Sequence, residues 1–176
     1  MTAFPGLTAG TWTVDPTHAE VGFVARHLMV AKVRGRFTEV SGTVEVGETL
    51  AETSVRAVAS AASVSTNQAD RDGHLRSADF FDVETYPELT FVSTSVSSDS
   101  MIGDLTIKGV TRSVTFDLEF DGVQADPWGN TKAGFTATTA INRSDWGLTW
   151  NAAIEGGGVL VSDKIAITLE IELLKG

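Results

Sequence analysis

Regular alternation of apolar and polar residues is the feature of this chain that most limits its fold. Every second residue is apolar in 113–120 (SVTFDLEF) and again in 164–173 (KIAITLEIEL). Because successive side chains of a β-strand point to opposite faces, each segment has one apolar face and one wet face. The two segments are therefore predicted to be strands of a sheet that covers an apolar interior on one side.

Further segments follow the same alternation less strictly, which gives eight or nine predicted strands in total. Turn signals separate several of them, including Gly-Glu at 47–48 and Asp-Pro at 126–127. Curling a sheet of this size into a barrel removes its exposed edges. We therefore predict an all-β fold, an antiparallel barrel of about eight strands, in a single domain over residues 1–176. The additional predicted strands are 11–14, 19–27, 35–46, 54–64, 88–96, 101–108 and 133–142.

Two places depart from the strand pattern. Residues 66–81 lack alternation and are predicted to form a short helical segment that covers one end of the barrel, with Phe80 and Phe81 pointing inside. A short turn is predicted at 143–148 (RSDWGL). The glycine-rich EGGG at 155–158 lacks the Lys-Ser/Thr that follows a phosphate-binding loop, so it is predicted to be a turn between strands.

Composition excludes several classes of function. The formal net charge of −10 argues against a nucleic-acid partner and against simple electrostatic adhesion to anionic membranes. The absence of cysteine excludes disulfides and thiolate chemistry. No apolar run approaches the roughly 20 residues of an integral membrane segment. The first ten residues do not resemble a secretory signal, and a cytoplasmic location is expected.

The residues give no positive case for an enzyme. His18, His27 and His74 are the candidates for metal binding or general-base catalysis, and their spacing matches no metalloprotease motif. A nucleophile elbow of the Gly-x-Ser-x-Gly type is also absent. No cofactor and no resident metal are predicted. The alternative is a metal-dependent enzyme that acts on an amphiphilic substrate through the three histidines, brought together by the fold.

The predicted inward faces combine bulky and small side chains. Phe116 and Leu118 lie on one strand, whereas Ala57 and Ala59 lie on another. A barrel of about eight strands holds either its own side chains or one small ligand. The residues leave both interpretations open. His27 ends an apolar row in 19–27, where it is either a core histidine bonded to the backbone or a polar contact near a pocket mouth.

Short motifs occur in a fixed order over nearly the whole chain. The motifs are WTVDPTH at 12–18, Phe23, His27, GRF at 35–37, Gly42, Ser-Thr at 65–66, RDGHLRS at 71–77, FFD at 80–82, Tyr-Pro at 86–87, Phe91, GDLTIKGVT at 103–111, RSDWG at 143–147 and Ser-Asp at 162–163. Any one of these motifs alone would be a weak signal, whereas the ordered set specifically resembles the YceI family.

The resemblance implies an extended lipocalin-like barrel that binds and carries a long-chain polyisoprenoid or isoprenoid quinone without catalysis. It also implies a possible homodimer. Two sets of ligand-binding residues are predicted. The apolar pocket set is Phe23, Phe37, Ala57, Ala59, Phe81, Phe91, Leu105, Phe116, Leu118, Phe135, Ile167 and Leu169. The polar set, which either contacts the head group or braces the fold, is His18, His27, Arg71, Asp72, His74, Arg143 and Asp145, with Arg71, Asp72 and His74 predicted to form a hydrogen-bonded clasp.

Overall fold

The alternating segments form strands of one antiparallel sheet. The computed structural model describes residues 4–28, 30–152 and 160–176. The turn predicted at 155–158 lies outside these residues. The elements are β1 (Gly10–His27), β2 (Ala31–Phe37), β3 (Val40–Val46), β4 (Ser54–Ser60), β5 (Val64–Ser65), α1 (Ala69–Arg76), β6 (Glu88–Val96), β7 (Ser100–Ile107), β8 (Val110–Ala125), β9 (Thr131–Asn142) and β10 (Lys164–Lys175), with 3₁₀ helices at Leu50–Glu52, Ala61–Ser63 and Arg143–Trp146.

Eight of these strands close into a barrel. Their order is β10-β9-β8-β7-β6-β4-β3-β1, and β1 pairs back with β10 to complete the ring. The first residues of β1, Gly10–Thr13, pair with β3, whereas Val21–His27 pair with β2, which extends the sheet beyond the ring. The predicted antiparallel barrel of about eight strands is confirmed.

Strand β1 contains a wide bulge. The two strands predicted at 11–14 and 19–27 are one strand, in which Val14 lies opposite Leu173 and Ala19 lies opposite Ile171. Four residues of β1 therefore lie opposite Glu172 alone. The bulge restores the alternation on its far side, so that the apolar face of β1 points into the barrel at both ends.

The strand predicted over 35–46 is wrong, because the chain turns a corner there. β2 ends at Phe37 and β3 begins at Val40. The backbone N–H groups of Thr38 and Glu39 donate to the carbonyl and hydroxyl oxygens of Ser63, which replaces the interrupted ladder. The strand predicted over 54–64 is likewise interrupted by the 3₁₀ helix that begins at Ala61.

Helix α1 and the turn after β9 are confirmed. α1 begins after Gln68, whose side-chain oxygen accepts a hydrogen bond from the Arg71 N–H at 2.5 Å. The 3₁₀ helix Arg143–Trp146 ends at Gly147, whose φ of +79° is readily adopted only by glycine. Both elements lie at the barrel end where β10 begins, which we call the α1 end.

The start of the described chain closes the opposite end. Phe4 is 2% exposed and its ring lies 5.2 Å from the rings of both Phe120 and Phe135. Leu7 packs in the same cluster with Trp12. In the described residues, no helix has the length and apolar character needed to cross a bilayer.

Candidate ligand cavity

A cavity of about 290 Å³ lies inside the barrel between its two ends. Each of the eight barrel strands contributes to its lining, since the inward half of every alternating segment faces it. The twelve residues of the predicted apolar set all line the cavity. The barrel is therefore hollow rather than filled by its own side chains, and contact of these residues with a ligand stays a prediction.

The cavity lining is almost wholly apolar. Among the described residues that line it, Thr53 and Thr90 contribute hydroxyl groups, and the indole N–H of Trp146 donates to the Leu105 carbonyl at 2.9 Å. Arg143 contributes the charged group. A surface of this kind attracts hydrocarbon, because apolar groups leave water at a gain of about 25 cal/mol per Å².

Two glycines keep aromatic rings against the wall of the cavity. A Cβ at Gly35 would lie 2.2 Å from Cζ of Phe23, and a Cβ at Gly103 would lie 2.3 Å from Cζ of Phe91. Each ring therefore occupies the space that a side chain on the neighbouring strand would take. This packing holds the two rings away from the middle of the barrel.

Arg143 is a buried cation at the α1 end of the cavity. It is 6% exposed, and its guanidinium donates to four main-chain carbonyls, at 2.9 Å to Ser162, 2.7 Å to Leu148, 2.9 Å to Trp150 and 3.4 Å to Val161. Burial lowers the pKa of this guanidinium, although arginine keeps its proton in proteins. Arg143 thus braces the surrounding loop and also places a fixed positive charge at the cavity wall.

The predicted clasp forms in part. Asp72 accepts hydrogen bonds from the Thr66 N–H at 2.8 Å and the Thr66 hydroxyl at 2.5 Å. Arg71 donates to the same hydroxyl at 2.7 Å and to the Thr66 carbonyl at 2.9 Å. Thr66 is the centre of this network, which ties α1 to the end of β5. Neither Arg71 nor Asp72 is among the residues that line the cavity.

His74 does not belong to the clasp. Its Nε2 lies 2.9 Å from a carboxylate oxygen of Asp79, and its ring packs edge-on against Phe80 and Trp150, with centroids 5.1 and 4.5 Å away. Phe80 lines the cavity and His74 does not. The prediction that Phe80 and Phe81 face the interior agrees with the structure, whereas His74 supports the cover from outside.

The other predicted polar residues also lie away from the lining. His27 ends β1 and forms a bridge to Val161, and Asp145 is exposed. The Asp145 main-chain carbonyl accepts a hydrogen bond from Arg112 at 3.1 Å. Of the seven polar candidates, Arg143 is the one that lines the cavity.

The three histidines do not converge on a metal site. His18 lies in the bulge of β1 and His27 at the end of the same strand, nine residues later. Within the described ranges, the one group of three potential metal ligands is Asp15, His18 and Glu172. The ammonium of Lys132 already lies 3.1 Å from Asp15, so a protein cation balances this cluster.

Asp15 fixes the bulge. Its carboxylate accepts hydrogen bonds from the Thr17 N–H at 3.0 Å and the Thr17 hydroxyl at 2.7 Å, lies 3.1 Å from His18 Nδ1, and binds Lys132 of β9. These contacts, with the Thr17 hydroxyl foremost, hold the pKa of Asp15 well below its usual range despite burial. The cluster therefore joins β1 to β9 across β10.

Asp15→Asn is expected to lower the free energy of unfolding at pH 7 by about 2 kcal/mol. Since the pKa of Asp15 is lower in the folded than in the unfolded protein, the carboxylate contributes its full share of the free energy of unfolding above about pH 5. That share is lost as the pH falls below this value. The variant should therefore lose less stability than the parent on acidification. Denaturation midpoints across an acidic pH series measure this difference, with Asp117→Asn, an exposed carboxylate on β8, as the control. Equal acid sensitivity of parent and Asp15→Asn would contradict the assignment.

Several residues of the cavity and of the Asp15 cluster were not predicted from the sequence. Phe4 and Leu7 line the far end of the cavity, and the Pro5-Gly6 pair between them is a turn signal that could have indicated their return to the barrel. Lys132 and Glu172 reach the Asp15 bulge from other strands, and their positions depend on the register of β9 and β10.

The closed barrel, its apolar cavity and its covered end define a lipocalin-like binding barrel. The chain belongs to the YceI family, since the model of the YceI-like domain matches residues 12–173. A UPF0312 protein of Staphylococcus aureus strain MSSA476 is 38% identical over 164 residues, which is 92% of this chain and 95% of the relative.

Solved structures agree with this assignment. A Campylobacter jejuni YceI protein is 31% identical with a TM-score of 0.71, covering 86% of this chain and 90% of that one. A polyisoprenoid binding domain from Saccharophagus degradans, implicated in plant cell wall breakdown, has a TM-score of 0.73 at 17% identity, covering 94% of this chain and 98% of that one. The second likeness establishes the shared fold alone.

Proposed function

We propose that this protein binds and carries a long-chain polyisoprenoid lipid, such as an isoprenoid quinone or a prenyl phosphate, without catalysing a reaction. The observation that carries the proposal is the apolar cavity of about 290 Å³ with one buried cation at its end. The hydrocarbon chain occupies the cavity. The polar head lies toward the α1 end, near Arg143.

The size and polarity of the cavity support a slender hydrocarbon. Its volume of about 290 Å³ lies just below the range of about 300–1,000 Å³ that small-molecule sites occupy. Each buried methylene contributes roughly 0.8 kcal/mol, so a few isoprene units gain more than about 10 kcal/mol before the cost of immobilisation. Such a ligand needs no matched ion pair for useful affinity.

The chemistry of Arg143 supports an anionic or strongly polar head group. A buried charge is normally balanced by an opposite charge, yet the described partners of this guanidinium are main-chain carbonyls. Four of its five N–H donor positions are occupied in this way. The Asp163 carboxylate offsets this charge through space, without an ion pair among the described residues, so the remaining donor favours a phosphate or quinone oxygen at this end.

One protein that shares the fold supports the same class of ligand. The Saccharophagus degradans domain, which shares the fold, is described as polyisoprenoid binding. The competing three-histidine enzyme lacks support, because His18, His27 and His74 do not meet. A homodimer and a cytoplasmic location stay predictions.

Native mass spectrometry of the purified protein, followed by organic extraction, tests the proposal. We expect a bound species whose extracted form is a lipid built of isoprene units, released when the protein unfolds. Protein denatured before a mock purification provides the control for lipid that adheres non-specifically. A protein that is consistently empty, and that gains no mass with added polyprenyl phosphate or quinone, would contradict the function.

A further inference from the structure

The hairpin of β1 and β2 has an unusual charge for so acidic a protein. Between Glu20 and Glu39 the chain contains no acidic residue and four of its 13 lysines and arginines. The four are Arg26, Lys32, Arg34 and Arg36. Since the whole chain has a net charge of −10, the rest of the molecule is more acidic still.

These four cations lie on one face of the hairpin. Arg26 pairs directly with Lys32, Val24 with Arg34, and Gly22 with Arg36. Directly paired residues of antiparallel strands point to the same side, and Phe23 and Ala25, which alternate with this set, line the cavity. The cations therefore face outward, and all four are exposed.

The cations of this face lack a close carboxylate partner in the described part of the chain. None of the four cations forms an ion pair among those residues. Like charges directly opposite each other, as in Arg26 and Lys32, destabilise a strand pair. The arrangement costs stability, which suggests an anionic partner outside the chain.

The tip of the same hairpin is apolar and exposed. Val30 is 81% exposed and Leu28 is 38% exposed, and they are two of the three large apolar residues in the described ranges with such exposure. Leu28 has a φ of +54°, which is uncommon for a bulky side chain and which asparagine or glycine adopts more easily. An apolar side chain is therefore kept at the tip despite backbone strain.

The hairpin is attached to the same end of the barrel as Arg143. Arg26 exchanges hydrogen bonds with Ser162, donating its N–H to the hydroxyl at 2.8 Å and accepting from the Ser162 N–H at 2.9 Å. The carbonyls of Val161 and Ser162 accept hydrogen bonds from Arg143. The segment Val161–Ser162 thus connects the hairpin to the α1 end of the cavity.

We propose that the β1–β2 hairpin, through its described residues 26–28 and 30–36, docks the protein on an anionic lipid bilayer, with Leu28 and Val30 inserted among the acyl chains and the four cations against the head groups. An apolar tip beside a basic face supplies the two signals that stable interfacial binding requires. The acidic remainder is repelled by the same surface, which fixes the orientation. The inference goes beyond the proposed function, since docking requires no cargo in the barrel.

Vesicle co-sedimentation of the full chain tests this inference. We expect binding to vesicles of equal parts phosphatidylcholine and phosphatidylglycerol, weak binding to phosphatidylcholine alone, and loss of binding at about 1 M salt, where the Debye length falls to about 3 Å. The double variant Lys32→Glu/Arg34→Glu should bind the anionic vesicles roughly 30-fold more weakly. The double variant Leu28→Asn/Val30→Ser should weaken binding about tenfold, because it removes both apolar side chains of the tip. Asparagine is chosen for position 28 because it adopts the positive φ found there more easily than most residues.

Matched controls separate the hairpin from overall charge and hydrophobicity. Arg56→Glu/Arg112→Glu makes the same change in net charge elsewhere on the barrel, and Trp128→Ser removes an 83% exposed apolar side chain from the β8–β9 turn at the opposite end. Both controls should bind vesicles as the parent does. Unchanged melting temperatures verify that the hairpin variants fold.

Several outcomes would overturn the inference. Equal loss of vesicle binding in the hairpin and control variants would assign the effect to overall charge. Binding of single-stranded nucleic acid but not of vesicles, or a concentration-dependent dimer that the Leu28→Asn/Val30→Ser variant abolishes without any vesicle binding, would assign the hairpin to another partner. Because extraction of bound lipid is measured separately, failure of docking and failure of the proposed cargo are distinguishable.

Discussion

Replacing Arg143 with methionine is expected to lower the free energy of unfolding by about 3 kcal/mol or more. The guanidinium satisfies four main-chain carbonyls, of Leu148, Trp150, Val161 and Ser162. Methionine fills similar space but donates no hydrogen bond, so these buried acceptors lose their partners together. Urea denaturation followed by tryptophan fluorescence measures the change.

Two further variants make the Arg143 result specific. Arg143→Lys keeps the charge but loses the planar set of donors, and its stability should lie between those of the parent and the methionine variant. Arg112→Met removes an exposed arginine that bonds one carbonyl, and its effect should stay within about 0.5 kcal/mol. Parent-like stability of Arg143→Met would show that the loop finds other donors and that Arg143 does not brace it.

The parts of the fold that depend on local patterning were predictable from the sequence. Alternation placed Phe116 and Leu118 on the inner face of β8, and Ile167 and Leu169 on that of β10, because side-chain direction follows from strand geometry alone. The short helix was also predictable, because residues 66–81 lack the alternation of apolar and polar residues that marks a strand.

The corner between β2 and β3 was missed, although a signal was present. The apolar positions change from odd to even numbers between Phe37 and Val40, which marks a break in the strand. The group that stabilises the break is Ser63, more than twenty residues away, and no local pattern identifies it. Strand ends that are fixed by distant residues therefore could not be predicted from local sequence patterns.

Polar site residues were harder to predict than apolar ones. Charged residues near a predicted loop give no indication of which carbonyls or carboxylates they will meet, so Arg143 and His74 looked equivalent in the sequence. The structure separates them because Arg143 follows directly after β9 and enters the barrel end, whereas His74 lies on the outward side of Phe80.

The net charge of the chain does not describe the local charge of its surface. A total of −10 argued against simple electrostatic adhesion to anionic membranes, yet the lysines and arginines between Glu20 and Glu39 have no acidic residue among them. Electrostatic attraction depends on the charges within about 10 Å of the partner, which is the Debye length at 0.1 M salt. The distribution of charge along a strand pair therefore matters more than its sum.

Ala57→Phe is expected to reduce the lipid recovered with the protein at least tenfold. Ala57 points into the cavity from β4, between Gly42 on β3 and Phe91 on β6. A cavity of about 150 Å³ accommodates benzene, so an added ring would take about half of the 290 Å³ here. The free energy of unfolding should change by less than about 2 kcal/mol, because the ring enters empty space. Extraction and mass spectrometry of equal amounts of protein measure the loss.

The neighbouring residue of β4 supplies the control for this substitution. Arg56→Phe places the same ring on the outer face, where it should leave the lipid load unchanged. A parent-like lipid load in a folded Ala57→Phe variant would mean that the hydrocarbon does not occupy the barrel interior, and the proposed function would then lose its structural basis. Loss in both variants would instead indicate damage to β4 rather than a filled cavity. The contrast between two adjacent positions thus tests the inward and outward faces of one strand separately.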